Sequence, residues 1–115
     1  MSKDEFFHAC ASSYLTWSPA GLGWDCYRHY ESIACGSIPV INYPWIRMAH
    51  PFVDREHVFY YDAADRESLS QTIKRALENK HRLLEMTQKA RDYILKHHTH
   101  TAILRYILET IRSIN

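Results

Sequence analysis

Residues 18–41 constrain the fold of this chain more than any other part of its sequence. They read SPAGLGWDCYRHYESIACGSIPVI, which predicts a glycine-containing loop, a short helix, a glycine at the helix end and a buried strand. A loop that leads into a helix N-terminus is a natural seat for phosphate, because unpaired backbone N–H groups and the positive end of the helix dipole face it. The segment therefore predicts an anion site built on an α/β unit.

Five residues of this segment are candidates for binding a sugar nucleotide. The Arg28 cation suits a diphosphate, and the Glu31 carboxylate suits ribose hydroxyls through charge-assisted bonds of about 1.5–3 kcal/mol. Gly21 and Gly23 would let the backbone approach phosphate without a Cβ clash, and the alternative for both is an ordinary flexible loop. The Ser18 hydroxyl could donate to the ligand, although a Ser-Pro turn explains it equally well. The alternative for Arg28 and Glu31 is an i,i+3 ion pair worth about 0.2–0.5 kcal/mol.

The composition is that of one globular domain with nearly balanced charge. The chain has 115 residues, 46% of them apolar and 13% aromatic, and a formal net charge of +1, which argues against disorder and against a nucleic-acid binder. Cys10, Cys26 and Cys35 include no C-x-x-C pair, so a disulfide framework or zinc ribbon is not expected and a reducing, cytoplasmic setting fits best. No apolar run is long enough to span a bilayer, and the N-terminus does not have the pattern of a secretory signal.

The remaining pattern alternates strands and helices. We expect strands at 14–17, 38–41 and 57–61, and helices at 4–11, 25–35, 66–77, 80–97 and 101–114, with one helical turn near 46–49. Asp25 and Asp65 are the expected N-caps, and Gly36 is the expected helix stop. This order predicts a Rossmann-like three-layer α/β domain with a parallel sheet of about three strands, flanked by helices, with the C-terminal helices packed on one side. Since the chain begins almost at a strand, we expect it to be the terminal part of something larger.

Residues 18–41 resemble the nucleotide-sugar-binding part of GT-B glycosyltransferases of the group often called glycosyltransferase group 1. The similar positions are Ser18-Pro19, Gly21, Gly23, Arg28, Glu31, Ala34-Cys35-Gly36 and Pro39-Val40-Ile41. The resemblance implies that residues 1–115 are the C-terminal donor-binding domain of such an enzyme, or a fragment of it. It also implies donor-binding roles for Ser18, Gly21, Gly23, Arg28 and Glu31. In such a site Arg28 would further stabilise charge on the leaving nucleoside diphosphate.

One departure from the family pattern concerns its acidic residues. The family usually has two acids eight positions apart, and Glu31 is similar to the second, whereas Gly23 stands where the first would be. The donor contact of that first acid is therefore missing here. The Arg28-x-x-Glu31 spacing is similar to that of a subgroup of the family in which an R-x-x-E sequence begins the helix.

The resemblance implies a complete enzyme that moves a sugar from a nucleoside-diphosphate sugar to an acceptor hydroxyl without a metal or other cofactor. The general base would come from an N-terminal acceptor domain, so we expect this chain alone to bind a nucleoside diphosphate weakly at best and to transfer nothing. A non-catalytic α/β protein-interaction domain, docking a partner through the C-terminal helices, is the alternative. A flavodoxin-like receiver lacks its acidic cluster here, and a dinucleotide-binding oxidoreductase lacks its G-x-G-x-x-G motif.

Several histidines and basic residues admit a second interpretation. His97, His98 and His100 lie at a helix end, where the side chains of adjacent residues do not converge on one ion. A solvated helix end is therefore favoured over a metal site. His8, His50 and His57 are isolated in sequence and none is expected to be a catalytic base. The basic stretch at 74–82 is expected to be a solvated face, and a weak association with the inner face of a membrane stays open.

The aromatic residues near the candidate site are also ambiguous. Tyr27 and Tyr30 are expected to pack in the interior, and Trp17 and Trp24 to anchor the core or the loop rather than stack on a ligand. Residues 43–45, Tyr-Pro-Trp, follow a strand end and either line a sugar pocket or pin the long connection.

Overall fold

In a computed structural model, described over residues 2–114, the chain is a three-stranded parallel sheet with five helices. The helices are α1 (Lys3–Ala11), α2 (Tyr27–Ala34), α3 (Ser68–Leu77), α4 (Lys80–His97) and α5 (His100–Ile114). The strands are β1 (Leu15–Trp17), β2 (Ile38–Asn42) and β3 (Phe59–Tyr61). The predicted α/β class is confirmed, and the arrangement is consistent with a partial Rossmann-like domain.

The central strand of the sheet is β2, which pairs in parallel with both neighbours. Leu15 lies opposite Ile38, and Val40 lies opposite Phe59. All five residues of β2 are buried, as a continuous apolar run in a parallel strand predicts. Because both strand pairs are parallel, the carboxyl ends of all three strands lie at one edge of the sheet.

The hydrophobic core lies between the sheet and the helices. α2 and α4 pack against β2, and α3 packs against β3. Each fully buried aliphatic or aromatic side chain contributes about 1.5–3 kcal/mol relative to an exposed one. The buried core residues are Ile33, Ile38, Ile41, Phe52, Val58, Ala76, Leu83, Met86 and Ala90.

The C-terminal end of α2 is fixed by Gly36, as the sequence predicts. Gly36 has φ 91°, in the left-handed region, its N–H donates to the Ile33 carbonyl at 3.0 Å, and the Ser37 N–H donates to the Ser32 carbonyl at 2.9 Å. This pair of bonds is a Schellman motif, which ends a helix where glycine adopts positive φ.

The N-terminal cap predictions for α2 and α3 are wrong. Cys26, not Asp25, is the N-cap residue of α2, and no side chain caps that helix end. The Asp25 carboxylate instead accepts a hydrogen bond from the Tyr30 hydroxyl at 2.6 Å. Asp65 accepts from the Glu67 N–H at 3.0 Å in a local turn, so α3 begins at Ser68, later than predicted.

Two other boundaries also differ from the prediction. The predicted helical turn near residues 46–49 is absent, because residues 43–58 form an irregular connection. β3 begins at Phe59 rather than at His57, because residues 55–57 form a backbone turn in which the His57 N–H donates to the Val53 carbonyl at 3.0 Å.

The last helix, α5, does not join the core. It packs on α4 and contains no buried residue among those described, although its sequence is strongly amphipathic. The prediction that the C-terminal helices pack on the domain therefore holds for α4 and fails for most of α5. The apolar side chains exposed on α5 include Ile103, Leu104, Ile107, Leu108, Ile111 and Ile114.

Candidate functional site

The carboxyl-end edge of the sheet is where open α/β folds bind their ligands. β1 ends there at Trp17, β2 at Asn42 and β3 at Tyr61. Trp17 Nε1 donates a hydrogen bond to the Tyr61 hydroxyl at 3.0 Å, and Asn42 Oδ1 accepts one from the Ala20 N–H at 2.7 Å. These bonds tie the end of β1 and the loop after it to the ends of the other two strands.

The 18–26 loop connects β1 to α2, and its tip at residues 21–23 is open to solvent. Across residues 2–114, no hydrogen bond is found from the backbone N–H groups of this loop tip. A Cβ added at Gly23 would meet no atom within 4 Å, and one at Gly21 would meet Arg28 Nη2 at 4.0 Å. The fold itself therefore does not require glycine at these positions, whereas a ligand approaching the backbone closely would.

Arg28 is the second residue of α2 and reaches back over the loop. Its Nη2 donates to the Pro19 carbonyl at 2.6 Å, and the side chain is exposed. Most of the guanidinium N–H donors therefore remain available to a ligand at the loop tip. The structure places Arg28 in the first turn of the helix, closer to the loop than the sequence predicts.

Glu31 lies one turn further along α2 and is half-buried. Among the described residues, the ion pairs found do not include one between Glu31 and Arg28, so the alternative predicted for both residues is not formed. The Glu31 carboxylate is thus available to accept hydrogen bonds from hydroxyl groups. Its role in binding ribose stays a prediction.

Ser18 faces the interior rather than the loop tip. Its side chain is 0% exposed, and its Oγ lies 2.7 Å from Nδ1 of His29. Its N–H donates to the Val40 carbonyl at 2.9 Å. A direct contact between Ser18 and the nucleotide-sugar donor stays a prediction, and this geometry does not favour it.

His29 is the site-forming residue that the sequence analysis missed. It is 3% exposed and lies on α2 beneath the 18–26 loop. Besides Ser18, its ring contacts the Trp24 carbonyl at 3.3 Å through Nε2 and the Cys26 Sγ at 3.4 Å. Burial lowers the pKa of His29, which favours the neutral imidazole. The spacing of His29 with Ser32 and Ile33 on the inward face of α2 is the sequence signal that could have found it.

The N-terminus of α2 leaves its first amides without a side-chain cap. Such uncapped N–H groups, together with the helix dipole, favour an anion at this end of the helix. Tyr30 holds the Asp25 carboxylate, and burial together with this hydrogen bond raises the pKa of Tyr30. Because Asp25 is taken up by Tyr30, it does not compete with a ligand for the helix amides.

An open pocket of about 290 Å³ adjoins the loop at Asp25 and is lined on one side by Ile103 and Tyr106 of α5. His50 and His97 stack there with ring centroids 4.0 Å apart, and His98 packs against Tyr30 with centroids 5.1 Å apart. The prediction that these histidines form a solvated helix end is therefore wrong for His97 and His98, whose side chains are half-buried. It is confirmed for His100, which is exposed. Burial lowers the pKa of both His97 and His98.

Aromatic side chains surround the same edge of the sheet. Tyr30 packs against Phe52, as predicted, whereas Tyr27 is exposed, contrary to the prediction. Trp17 is also exposed and therefore does not anchor the core. Tyr43 and Trp45, which form an edge-to-face pair with ring centroids 5.1 Å apart, are exposed as well.

Among residues 2–114, no three His, Cys, Asp or Glu side chains come together in a way that could hold a metal ion. In the same part of the chain, each helix is too short or too polar to cross a bilayer.

Residues 18–41 lie within a longer segment that matches a known protein family. A family model described as glycosyl transferase-like matches residues 5–109. The chain belongs to this glycosyl transferase-like family. The match confirms the resemblance to group 1 glycosyltransferases, gives the domain a role in glycosyl transfer and does not favour the interaction-domain alternative. Comparisons with curated proteins and with solved structures found no significant match.

Proposed function

We propose that this glycosyl transferase-like domain, residues 1–115, is the donor-binding part of an enzyme that moves a sugar from a nucleoside-diphosphate sugar to an acceptor hydroxyl. The single observation that carries the proposal is the placement of the exposed Arg28 guanidinium beside the open loop tip and the uncapped start of α2. A cation and a set of unpaired amides at one helix N-terminus are the groups that a diphosphate requires.

The proposed roles follow from the chemistry of each group. The amides of the loop tip and Arg28 bind the diphosphate, and Gly21 and Gly23 allow the phosphate oxygens to reach the backbone. Arg28 also stabilises the negative charge that develops on the leaving nucleoside diphosphate. Glu31 accepts hydrogen bonds from the ribose hydroxyls, and Ser18 contributes by supporting the start of the loop.

The complete enzyme would need a second part. We propose an N-terminal acceptor domain that supplies the general base, so that this domain alone transfers no sugar. The exposed apolar side chains of α5 support such a partner, because a large exposed apolar face on a helix marks an interaction surface. We also propose that the reaction needs no metal or other cofactor, because Arg28 supplies the charge that a cation would otherwise bring.

The cellular setting belongs to the same proposal. Cys10, Cys26 and Cys35 are all free thiols, which suits a reducing cytoplasm. The basic residues at 74–82 are exposed, which supports a weak association with the inner face of a membrane.

Nucleotide titration of the 115-residue chain tests the donor site. We expect UDP, GDP or ADP to shift the amide NMR signals of residues 20–28, and Arg28→Ala to weaken this binding about 10- to 100-fold, since it removes charge-assisted hydrogen bonds worth about 1.5–3 kcal/mol. Arg105→Ala, which removes an exposed arginine of α5, is the matched control and is expected to bind as the wild type does.

Glu31→Gln separates the ribose contact from the phosphate contact. We expect it to weaken nucleoside-diphosphate binding and to leave pyrophosphate binding unchanged, because pyrophosphate has no ribose. Equal binding by Arg28→Ala and the wild type would contradict the donor site. Sugar transfer by the isolated chain would contradict the requirement for a second domain.

A further inference from the structure

One buried imidazole joins the two ends of the 18–26 loop. His29 Nδ1 lies 2.7 Å from Ser18 Oγ at the start of the loop, and His29 Nε2 lies 3.3 Å from the Trp24 carbonyl near its end. Ser18 and His29 are both buried, whereas the loop tip between them is exposed. The ring therefore acts from beneath the loop and does not face a ligand above it.

The hydrogen-bond partners of His29 fix its tautomer. A carbonyl oxygen only accepts, so Nε2 carries the proton and donates it to Trp24. Nδ1 is then the unprotonated nitrogen and accepts from the Ser18 hydroxyl. The neutral ring has both nitrogens satisfied, which is what a buried imidazole requires.

The helical turn that contains His29 also fixes the position of Arg28 relative to the loop. Arg28 precedes His29 in α2, and its guanidinium donates to Pro19, the residue after Ser18. If the His29 bonds were lost, Ser18 and Trp24 could move apart, and both the loop amides and the Pro19 carbonyl would move relative to Arg28. The charged groups that act on the ring are Asp25, in the loop just before α2, and Arg28, in the first turn of α2.

We propose that His29 is a positioning residue, which holds both ends of the 18–26 loop so that the amides of the loop tip and Arg28 face one diphosphate group. This inference rests on the proposed donor site. It adds one residue, His29, which preorganises the loop of that site. A preformed loop binds more tightly because the cost of ordering it is met during folding rather than during binding.

The test combines backbone dynamics with pyrophosphate binding in the full chain. In His29→Ala we expect lower NMR amide order parameters for residues 20–25 and about tenfold weaker pyrophosphate binding, the factor that corresponds to about 1.4 kcal/mol of lost preorganisation. His29→Asn can still accept from Ser18, and His29→Gln can still donate to Trp24, so each is expected to restore part of the loss. These two variants also serve if His29→Ala does not fold.

His57→Gln is the matched control, because His57 is likewise buried and hydrogen-bonded to backbone, but lies outside the loop. We expect it to lower global stability while leaving the amide order parameters of residues 20–25 and pyrophosphate binding unchanged. A rigid loop with normal binding in His29→Ala, or the same loop changes in His57→Gln, would overturn the positioning role.

The result for the wild type separates the two proposals. If neither pyrophosphate nor any nucleoside diphosphate binds the wild type, the donor site fails and the role of His29 in it is overturned as well. If the wild type binds and Arg28→Ala weakens binding while all three His29 variants bind normally, the donor site stands and only the positioning role is overturned.

Discussion

Gly36 and Gly23 differ in what the backbone requires of them. Gly36 has φ 91°, where a side chain is strained even though an added Cβ would have space around it, with Arg91 Nη2 at 3.8 Å as the nearest atom. Gly23 has no positive φ and no atom within 4 Å of an added Cβ. Glycine at 36 therefore serves folding, whereas the fold does not require glycine at 23.

Alanine substitutions test this difference. We expect Gly36→Ala to lower the free energy of unfolding by about 1–2 kcal/mol, the cost of a left-handed conformation for a residue with a Cβ. Gly23→Ala is the control and should stay within about 0.5 kcal/mol of the wild type. Urea denaturation monitored by circular dichroism measures both, and equal stability of the two variants would contradict the interpretation.

Among the elements, α4 and α5 show how differently two amphipathic helices can be used. α4 begins where Asn79 accepts the Arg82 N–H at 3.1 Å, and it buries Leu83, Met86 and Ala90. α5 follows it closely yet buries none of its described residues, although Tyr106, midway along the helix, packs against His50 with ring centroids 5.3 Å apart. The end of α5 therefore adds little to the core.

Truncation before Ile107 tests this conclusion for α5. Removing the residues from 107 onward should change the free energy of unfolding by less than about 0.5 kcal/mol, because exposed side chains contribute little to stability. Leu83→Ala on α4 is the comparison and should cost about 2–5 kcal/mol, since it opens a cavity in the core. Calorimetric unfolding of both variants gives the answer, and a large loss on truncation would show that the end of α5 packs on the domain.

At the scale of the whole molecule, several buried and half-buried histidines make stability depend on pH. Burial is the largest cause that lowers the pKa of His29, His57, His97 and His98 from the ordinary value of 6.5. The unfolded chain therefore binds protons near pH 6.5 that the folded chain does not yet bind, so stability is present above that pH and is lost as the pH falls below it towards the lowered values.

Denaturant titrations at pH 7.5 and 5.5 check this dependence. The wild type is expected to unfold at lower urea concentration at pH 5.5. His57→Gln should be less stable at pH 7.5, because it alters the bond from the Val53 N–H, and should lose less on acidification. His8→Gln replaces an exposed histidine and should keep the dependence of the wild type. A wild-type midpoint that does not fall at pH 5.5 would contradict the prediction.

The sequence by itself determined the features that depend on neighbouring residues. The continuous apolar run of β2, the glycine stop at Gly36 and the helical periodicity of α4 predicted those elements nearly to the residue, because each follows from local backbone preference and burial. The pattern around Arg28 and Glu31 also identified the family, which the match over residues 5–109 confirms.

Only the tertiary structure decided which side chains meet across the loop and the helices. The Tyr30 hydroxyl donates to the Asp25 carboxylate, which therefore does not cap the helix. His29 and Ser18, eleven positions apart in the chain, are hydrogen-bonded in the interior. These pairings depend on where the backbone brings each residue, and periodicity carries no such information. For the same reason the amphipathic pattern of α5 indicated an apolar face, while the fold left most of that face exposed.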